Sequence, residues 1–249
     1  MLELKRVNKS FGGIRAVSDC SLAIGGRKIT GLIGPNGSGK TTLFHLITGF
    51  LRPDGGEIAF KGRRIDGLPP YKVAHGGIVR TFQRARVLPK MTVLENMLMA
   101  SPHQAGERLA SLCLRRKKVR KEEGENRKKA LELIDLVGLS HLKDQFAENL
   151  SYGQQKLLEL GRALMARPQM ILLDEPTAGI NPVMIRTILE LIGRMKEWGM
   201  AFFIIEHNMD VVIELCEWVF VLDNGEKIAE GTPRQIQGDP RVIEAYLGV

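Results

Sequence analysis

Nine consecutive residues near the start of the chain combine glycines with a lysine and two threonines. They are Gly34, Pro35, Asn36, Gly37, Ser38, Gly39, Lys40, Thr41 and Thr42. Glycines let the backbone turn several N–H groups toward one anion, and a helix start adds partial positive charge there. Lys40 would contact the outer phosphates of a nucleotide, and the Thr41 hydroxyl would bind Mg²⁺. An ordinary glycine-rich turn is the alternative, but the match in type and order favours a phosphate site.

Two adjacent carboxylates, Asp174 and Glu175, follow an apolar run that predicts a buried parallel strand at 170–173. Ligands of parallel α/β sheets bind beyond the carboxyl ends of the strands. Asp174 would therefore hold Mg²⁺ through water, and Glu175 would polarise the water that attacks a phosphate. The alternative is that the pair only caps the next helix. The phosphate-binding pattern upstream favours the chemical role.

Three further residues stand where predicted strands end. Gln83 ends the predicted strand 78–82 and could touch Mg²⁺ or its water, whereas a loop glutamine exposed to solvent is the alternative. His207 follows the predicted strand 201–205 and could bond the γ-phosphate, or it could be an ordinary loop histidine. Phe11 precedes a glycine turn and could stack on a nucleobase, or it could simply pack on the turn. These residues alone leave both interpretations open.

A second helix start has features of an anion site. Ser151 and Gln154 fit a capping box before a long predicted amphipathic helix at 156–166. Gly153 lies near the start of that helix, whose free N–H groups could face an anion. Capping and anion binding are compatible, so this helix start can also face a phosphate. The chain thus has two phosphate-facing helix starts but only one lysine of the Lys40 type.

The elements that must position these residues predict an α/β fold. A phosphate-binding loop between a strand and a helix predicts a P-loop NTPase core with a mostly parallel sheet. Alternating apolar residues in 2–7 and 14–24 predict an N-terminal antiparallel β subdomain, and 223–225 predicts a hairpin turn. We therefore expect one domain over 1–249, divided as follows: nucleotide-binding core at 1–83 and 151–231, inserted helical subdomain at 84–150, C-terminal helical tail at 232–249.

Composition is that of a soluble globular protein, with 44% hydrophobic and 26% charged residues in 249. The apolar runs are too short to span a bilayer, and the first residues lack the apolar centre of a signal peptide, so we expect a cytoplasmic protein.

Much of the net charge of +8 lies in 115–129, which predicts a solvated helix face; contact with an anionic membrane or RNA is the alternative. No aromatic residue interrupts that run, so we expect no nucleic-acid partner.

Cysteine usage indicates a reducing compartment. Cys20, Cys113 and Cys216 are widely separated and have no metal-ligand spacing. We therefore expect reduced, partly buried thiols.

These motifs resemble those of ATPase subunits of ATP-binding-cassette (ABC) transporters, and the resemblance covers essentially the whole chain. Residues 34–42 match Walker A, 150–154 the signature motif and 170–175 Walker B. The remaining matches are Gln83 to the Q-loop, His207 to the switch histidine and Phe11 to the adenine-stacking aromatic.

The resemblance implies ATP and Mg²⁺ as cofactors, and it favours the functional interpretations of Phe11, Gln83 and His207. It implies catalytic roles for Lys40, Gln83, Glu175 and His207, and Mg²⁺ contacts from Thr41, Gln83 and Asp174. ATP would lie between Walker A of one copy and 151–154 of a second ATPase subunit, identical or paralogous. The other implied partners are integral membrane permease subunits and, indirectly, a periplasmic or extracellular substrate-binding protein. The implied location is peripheral, on the inner face of the cell membrane.

Two residues depart from the family pattern. Tyr152 replaces the second glycine of the usual signature, and Asn181 replaces the usual aspartate of the D-loop. These departures, together with 78–83, 91–96 and 239–248, resemble the branch that serves branched-chain amino-acid importers. The alternatives are a different cargo, such as lipid or lipopolysaccharide export, and a soluble ABC ATPase without a transport role. A module that binds ATP without turnover is disfavoured because Glu175 and His207 are both present.

Overall fold

The computed structural model describes residues 1–26, 29–102 and 116–247, which divide into two compact units. The first unit contains 1–80, 169–178 and the chain from Ile192 onward, and the second contains 81–168 and 179–191. The second unit includes the stretch predicted as a helical insertion and also the helix that follows Ser151.

The elements follow one another in this order along the chain. The strands are β1 (Leu2–Phe11), β2 (Ile14–Ile24), β3 (Ile29–Ile33), β4 (Gly55–Phe60), β5 (Arg63–Arg64), β6 (Ile78–Arg80), β7 (Met170–Asp174), β8 (Ala201–Ile205), β9 (Trp218–Asp223) and β10 (Glu226–Gly231). The helices are α1 (Lys40–Ile47), α2 (Pro70–His75), α3 (Val93–Met99), α4 (Arg116–Leu136), α5 (Tyr152–Met165), α6 (Pro182–Glu197), α7 (Met209–Leu215), α8 (Pro233–Gln237) and α9 (Pro240–Leu247). Two short 3₁₀ turns, Ser140–Leu142 and Ala147–Asn149, precede α5.

An antiparallel sheet of four strands opens the first unit, in the order β2-β1-β4-β5. β1 and β2 form the predicted hairpin, with Phe11 opposite Ile14 across the glycine turn. Leu2, Leu4 and Val7 are buried while neighbouring side chains are exposed, as expected for a sheet with one face on the core.

The larger sheet of the first unit has the order β10-β9-β3-β8-β7-β6. Its neighbours pair in parallel except β9 and β10, which form the predicted hairpin around Asn224-Gly225. β3, β7 and β8 are buried along their whole length, which explains their continuous apolar sequences. Because β3, β7 and β8 run in parallel, the residues that follow them come to one edge of the sheet. The α/β prediction is confirmed.

The core of the first unit joins residues from both sheets and from α1. Phe44 of α1 and Phe203 of β8 lie with ring centroids 5.1 Å apart, and both are fully buried. This packing fixes α1, and hence the loop that precedes it, on the sheet.

One predicted strand end is wrong. β6 stops at Arg80, after pairing with Met170–Leu172 of β7, so Gln83 lies in a loop beyond the strand. The physical reason lies in the backbone of 82–86, whose polar groups bond to side chains of α5 and therefore cannot continue the ladder.

The second unit is built on α3, α4 and α5, which pack on one another. Capping boxes start α3 (Thr92 with Glu95) and α5 (Ser151 with Gln154), the second as predicted. Within 116–129 nearly every basic side chain of α4 is exposed and Val119 is buried, so this part of the run forms an exposed helix face. Arg115, the first residue of the run, lies outside the described residues.

Cys20 and Cys216 are free and buried, as predicted, and Cys113 lies outside the described residues. Burial raises the pKa of the Cys20 thiol to about 11 and that of Cys216 to about 12. Among the described residues, no helix combines the length and the apolar character needed to cross a membrane.

Candidate active site

The loop between β3 and α1 carries the nine residues predicted to bind phosphate. It leaves β3 at Gly34 (φ 148°) and enters α1 through Gly39 (φ 98°), in conformations that L side chains rarely adopt. A Cβ atom at Gly34 would overlap the carbonyl oxygen of Leu222, and one at Gly39 would overlap that of Ala16. Glycine at these two positions is therefore required for the path of the loop.

A cavity of about 190 Å³ opens beside this loop. The described residues that line it are Ala16, Asn36, Gly37, Gly39, Lys40, Thr41, Thr42, Glu175 and His207. The end of β3, the end of β7 and the end of β8 thus contribute to one space in the first unit.

Lys40 is buried at the start of α1, and its ammonium group is held by the loop itself. Nζ donates to the carbonyl oxygens of Gly34 (2.9 Å) and Pro35 (2.8 Å) and to Ser38 Oγ (3.2 Å). Burial lowers the pKa of Lys40 from its ordinary value, while the carboxylates of Glu175 and Asp174 oppose that shift. The lysine therefore lies next to the cavity with a full set of neutral acceptors, which a phosphate oxygen can replace.

The groups around the cavity fit a nucleotide phosphate and a divalent cation. Backbone amides in left-handed conformation, a helix start and one ammonium group are the donors that phosphate oxygens accept from. The Thr41 hydroxyl and the nearby carboxylates are hard oxygen ligands of the kind that Mg²⁺ binds.

Glu175 and His207 are in direct contact. His207 Nε2 lies 2.6 Å from Glu175 Oε1, and the His207 side chain is the more exposed of the two. Glu175 adopts a left-handed backbone conformation (φ 49°), which is strained for a residue with a Cβ. The loop after β7 thus directs this carboxylate toward the histidine that follows β8.

Asp174 has a different partner, which sequence reasoning missed. Arg80 Nη2 donates to Asp174 Oδ2 at 2.6 Å, and the two side chains are only 3% and 8% exposed. The Arg80 guanidinium also lies 5.5 Å from the centroid of the Phe44 ring. Burial of a lone carboxylate is costly, and the ion pair with Arg80 offsets that cost for Asp174 at the end of a buried strand.

Glu206 is a second residue that sequence reasoning missed. Its Oε1 accepts from the amide of Thr177 (3.1 Å) and from the Thr177 hydroxyl. Its Oε2 accepts from the amides of His207 (3.0 Å) and Asn208 (3.4 Å). This buried carboxylate therefore joins the segment after Glu175 to the segment that carries His207.

Tyr246 of α9 contacts the root of the phosphate loop. The amide of Gly34 donates to Tyr246 Oη at 3.0 Å, while the carbonyl of the same glycine accepts from Lys40. The C-terminal tail was predicted only as helix, so this contact was also unforeseen. Burial raises the pKa of Tyr246, and the bond from Gly34 opposes that shift.

The remaining predicted site residues lie in the second unit, apart from Phe11. Ser151 Oγ accepts from the Gln154 amide (3.3 Å), and Gln154 Oε1 accepts from the Ser151 amide (2.8 Å). Gly153 is buried, and a Cβ there would lie 2.6 Å from Met184 Cγ, so close packing requires the glycine. The carbonyl of Gln83 is bound by side chains at the start of α5.

Comparison with known proteins decides the family. A family model described as ABC transporter matches residues 17–178, well over half of the chain. The chain belongs to the ABC transporter family. A second model, described as branched-chain amino acid ATP-binding cassette transporter, matches residues 226–249.

Relatives of this ABC family member align over its full length. The probable branched-chain amino acid transport ATP-binding protein LivG of Archaeoglobus fulgidus is 42% identical, over 100% of this chain and 95% of its own. The high-affinity branched-chain amino acid transport ATP-binding protein LivG of Salmonella typhimurium is 39% identical, over 100% and 98%.

Solved structures of ABC cassettes share the fold. A nucleotide-free ATP-binding cassette from an ABC transporter is 39% identical with a TM-score of 0.86, over 100% of this chain and 99% of that one. A dimeric post-hydrolysis state of an ATP-binding cassette bound to ADP and Pi is 26% identical with a TM-score of 0.77, over 94% and 99%. The predicted family and fold are confirmed.

Tyr152 and Asn181, the two residues that depart from the ABC pattern, both form hydrogen bonds in the structure. The Tyr152 hydroxyl donates to the carbonyl oxygen of Gln83 at 2.9 Å. Asn181 Oδ1 accepts from the amide of Met184 at 2.9 Å, as a helix-capping side chain does at the start of α6. Phe11 lies at the exposed end of β1, and Lys9 Nζ is 5.5 Å from its ring centroid. Among the described residues, those that line the cavity include Ala16 but not Phe11.

Sequence signals for the missed residues differ in strength. Arg80 falls inside the predicted strand 78–82, and a charged residue in a covered parallel sheet requires a partner, so the pair with a strand-end carboxylate was foreseeable. Glu206 ends an apolar strand just before His207, which placed it at the correct sheet edge. For Tyr246, 212 residues from Gly34, the sequence contains no local signal.

Proposed function

We propose that this chain is the ATP-hydrolysing subunit of an ABC transporter that imports branched-chain amino acids through separate membrane subunits. The observation that carries the proposal is the cavity in which the glycine loop, Lys40, Glu175 and His207 meet. The cargo is supported by the names of the relatives and by the family model that matches 226–249.

Binding of ATP would use the donors of the phosphate loop. Lys40 would exchange the carbonyls of Gly34 and Pro35 for phosphate oxygens, and the amides of 34–42 would surround the outer phosphates. Phe11 would stack on the adenine. The residues proposed to hold Mg²⁺, whose charge would stabilise the phosphates, are Thr41, Asp174 and Gln83.

Hydrolysis would depend on Glu175 and His207, which are in contact. Glu175 is the general base that takes a proton from the attacking water. His207 fixes the carboxylate through the 2.6 Å contact and would then bond the γ-phosphate. Arg80 balances the charge of Asp174, the carboxylate next to the proposed base.

A second ATPase subunit would complete the site. Ser151, Gly153 and Gln154 of that subunit would contact the phosphates with the amides at the start of α5. ATP would then be part of the interface, so that binding favours closure and hydrolysis reverses it. The dimeric cassette with ADP and Pi supports this arrangement.

The transporter relatives support permease subunits as partners and an association with the membrane. The proposal adds a location on the inner face of the membrane and a periplasmic or extracellular substrate-binding protein as an indirect partner. We retain the division into a nucleotide-binding core (1–83, 151–231), a helical subdomain (84–150) and a tail (232–249) as a functional proposal. In it, the helical subdomain contacts the permease and transmits closure to the cargo pathway.

The test is a Glu175→Gln variant, with Glu214→Gln on the exposed face of α7 as the matched control. Loss of the base should slow ATP turnover by about 10²–10⁴-fold while leaving ATP binding intact. The control should hydrolyse ATP at the normal rate. Normal turnover in Glu175→Gln would remove that residue from the base role, and wild-type protein that neither binds nor hydrolyses Mg·ATP would overturn the function itself. Leucine uptake into vesicles that contain the assembled transporter tests the cargo.

A further inference from the structure

One face of α5 binds the backbone of the loop 82–86 within the second unit. Four side chains are involved, spaced so that they share one helix face: Tyr152, Lys156, Glu159 and Arg162. The start of the same helix carries the signature motif.

Two of these side chains converge on a single atom. The Tyr152 hydroxyl and the Lys156 ammonium both donate to the carbonyl oxygen of Gln83, at 2.9 and 2.6 Å. Lys156 also donates to the carbonyl of Phe82 at 3.2 Å and is only 4% exposed. A buried ammonium cannot exchange these acceptors for water at low cost, so the contact holds the peptide of Gln83 firmly.

The other two side chains hold the rest of the loop. Glu159, 7% exposed, accepts through Oε1 from the amides of Phe82 (3.2 Å) and Arg86 (3.3 Å). The Arg162 guanidinium donates to the carbonyl oxygen of Arg86. The guanidinium of Arg86 itself lies 3.7 Å from the Phe82 ring centroid. The loop is thus bound at both ends by α5, through three donating side chains and one accepting carboxylate.

We propose that Tyr152, the residue that departs from the ABC signature, is a positioning residue for Gln83 and makes the loop 82–86 and the start of α5 move as one body. The functional consequence of this coupling rests on the proposed function. In the proposed dimer, Gln83 contacts the nucleotide of its own chain, while Ser151 and Gly153 contact the nucleotide of the second subunit. Engagement of the signature by one nucleotide would therefore reach the glutamine that serves the other.

The first test measures hydrogen exchange in the full-length, nucleotide-free chain. Tyr152→Phe keeps the ring and removes only the hydroxyl, so the amides of Phe82 and Arg86 should exchange about 2- to 10-fold faster, the effect of one hydrogen bond. Tyr71→Phe removes a hydroxyl from an exposed tyrosine of α2 and should leave these amides unchanged. Unchanged exchange in Tyr152→Phe would overturn the proposal.

The second test separates positioning from a merely structural role. Tyr152→Phe should lower kcat for ATP hydrolysis about 2- to 10-fold while the Kd for ATP stays within about twofold of wild type, because the phosphate loop is intact. Equal loss in both constants would refute the positioning role. Wild-type protein that lacks ATPase activity would refute the proposed function instead, and the exchange result would still decide this inference.

Discussion

The bridge formed by Glu206 allows a prediction worked directly from its contacts. Replacing Glu206 with glutamine preserves size and shape but exchanges one acceptor oxygen for an NH₂ group. Glu206 now accepts from three amides and one hydroxyl. Glutamine can satisfy the amides of His207 and Asn208 with its oxygen if its NH₂ group turns toward Thr177.

The cost follows from what that orientation leaves unpaired. The Thr177 hydroxyl can rotate to accept from the new NH₂ group, but the Thr177 amide faces a donor and loses its partner. One orphaned buried amide costs about 1–3 kcal/mol, and the change from a charged to a neutral acceptor weakens the remaining bonds, for a total of about 2–4 kcal/mol. In a chain of this size, that corresponds to a fall in Tm of about 5–15 °C.

Two assays check the prediction for Glu206→Gln. Thermal unfolding should show the lower Tm, and steady-state ATP hydrolysis should show a kcat about 10- to 100-fold lower, because Glu175 and His207 lose their common support. Glu214→Gln removes the same charge from an exposed position and should change neither quantity. A Glu206→Gln protein that melts within about 2 °C of wild type would show that the carboxylate does not hold the two segments together.

Two further predictions concern α9 and α4. Tyr246→Phe leaves the Gly34 amide without its acceptor, so ATP should bind about 2- to 10-fold more weakly by titration calorimetry; unchanged affinity would contradict a role for α9 in shaping the loop. Burial, assisted by the charge of Arg167, lowers the pKa of Lys129 to about 8 from 10.5, so between these pH values the unfolded chain binds more protons than the folded chain. The stability of wild type relative to Lys129→Met should therefore rise from pH 8 to pH 10.5 in urea unfolding, and a constant difference would contradict the shift.

The sequence was sufficient for those parts of the fold that local pattern controls. Apolar runs predicted β7 and β8, because strands covered on both faces must be apolar throughout. The glycines of 34–42 predicted the loop, since few other residues can follow that backbone path. Capping chemistry likewise predicted the start of α5 at Ser151.

The local sequence pattern could not predict where a strand ends because side chains bind its backbone groups. The strand predicted to reach Phe82 stops at Arg80, because Glu159 and Lys156 take the backbone groups that the ladder would have used. Those two side chains lie more than 70 residues away in sequence, and their direction depends on how α5 packs. For the same reason, the contact of Tyr246 with Gly34 could not be predicted from the sequence of the C-terminal helix.

The three carboxylates at the sheet edge have different surroundings, which the sequence alone did not show. Asp174, Glu175 and Glu206 all stand where a buried strand ends. Asp174 is 8% exposed and neutralised by a guanidinium, and Glu206 is buried against backbone amides, so neither is free to accept a proton from water. Glu175 is 18% exposed, lines the cavity and contacts the partly exposed imidazole of His207. These differences in burial and partners support the proposal that Glu175, whose backbone conformation is strained, is the base.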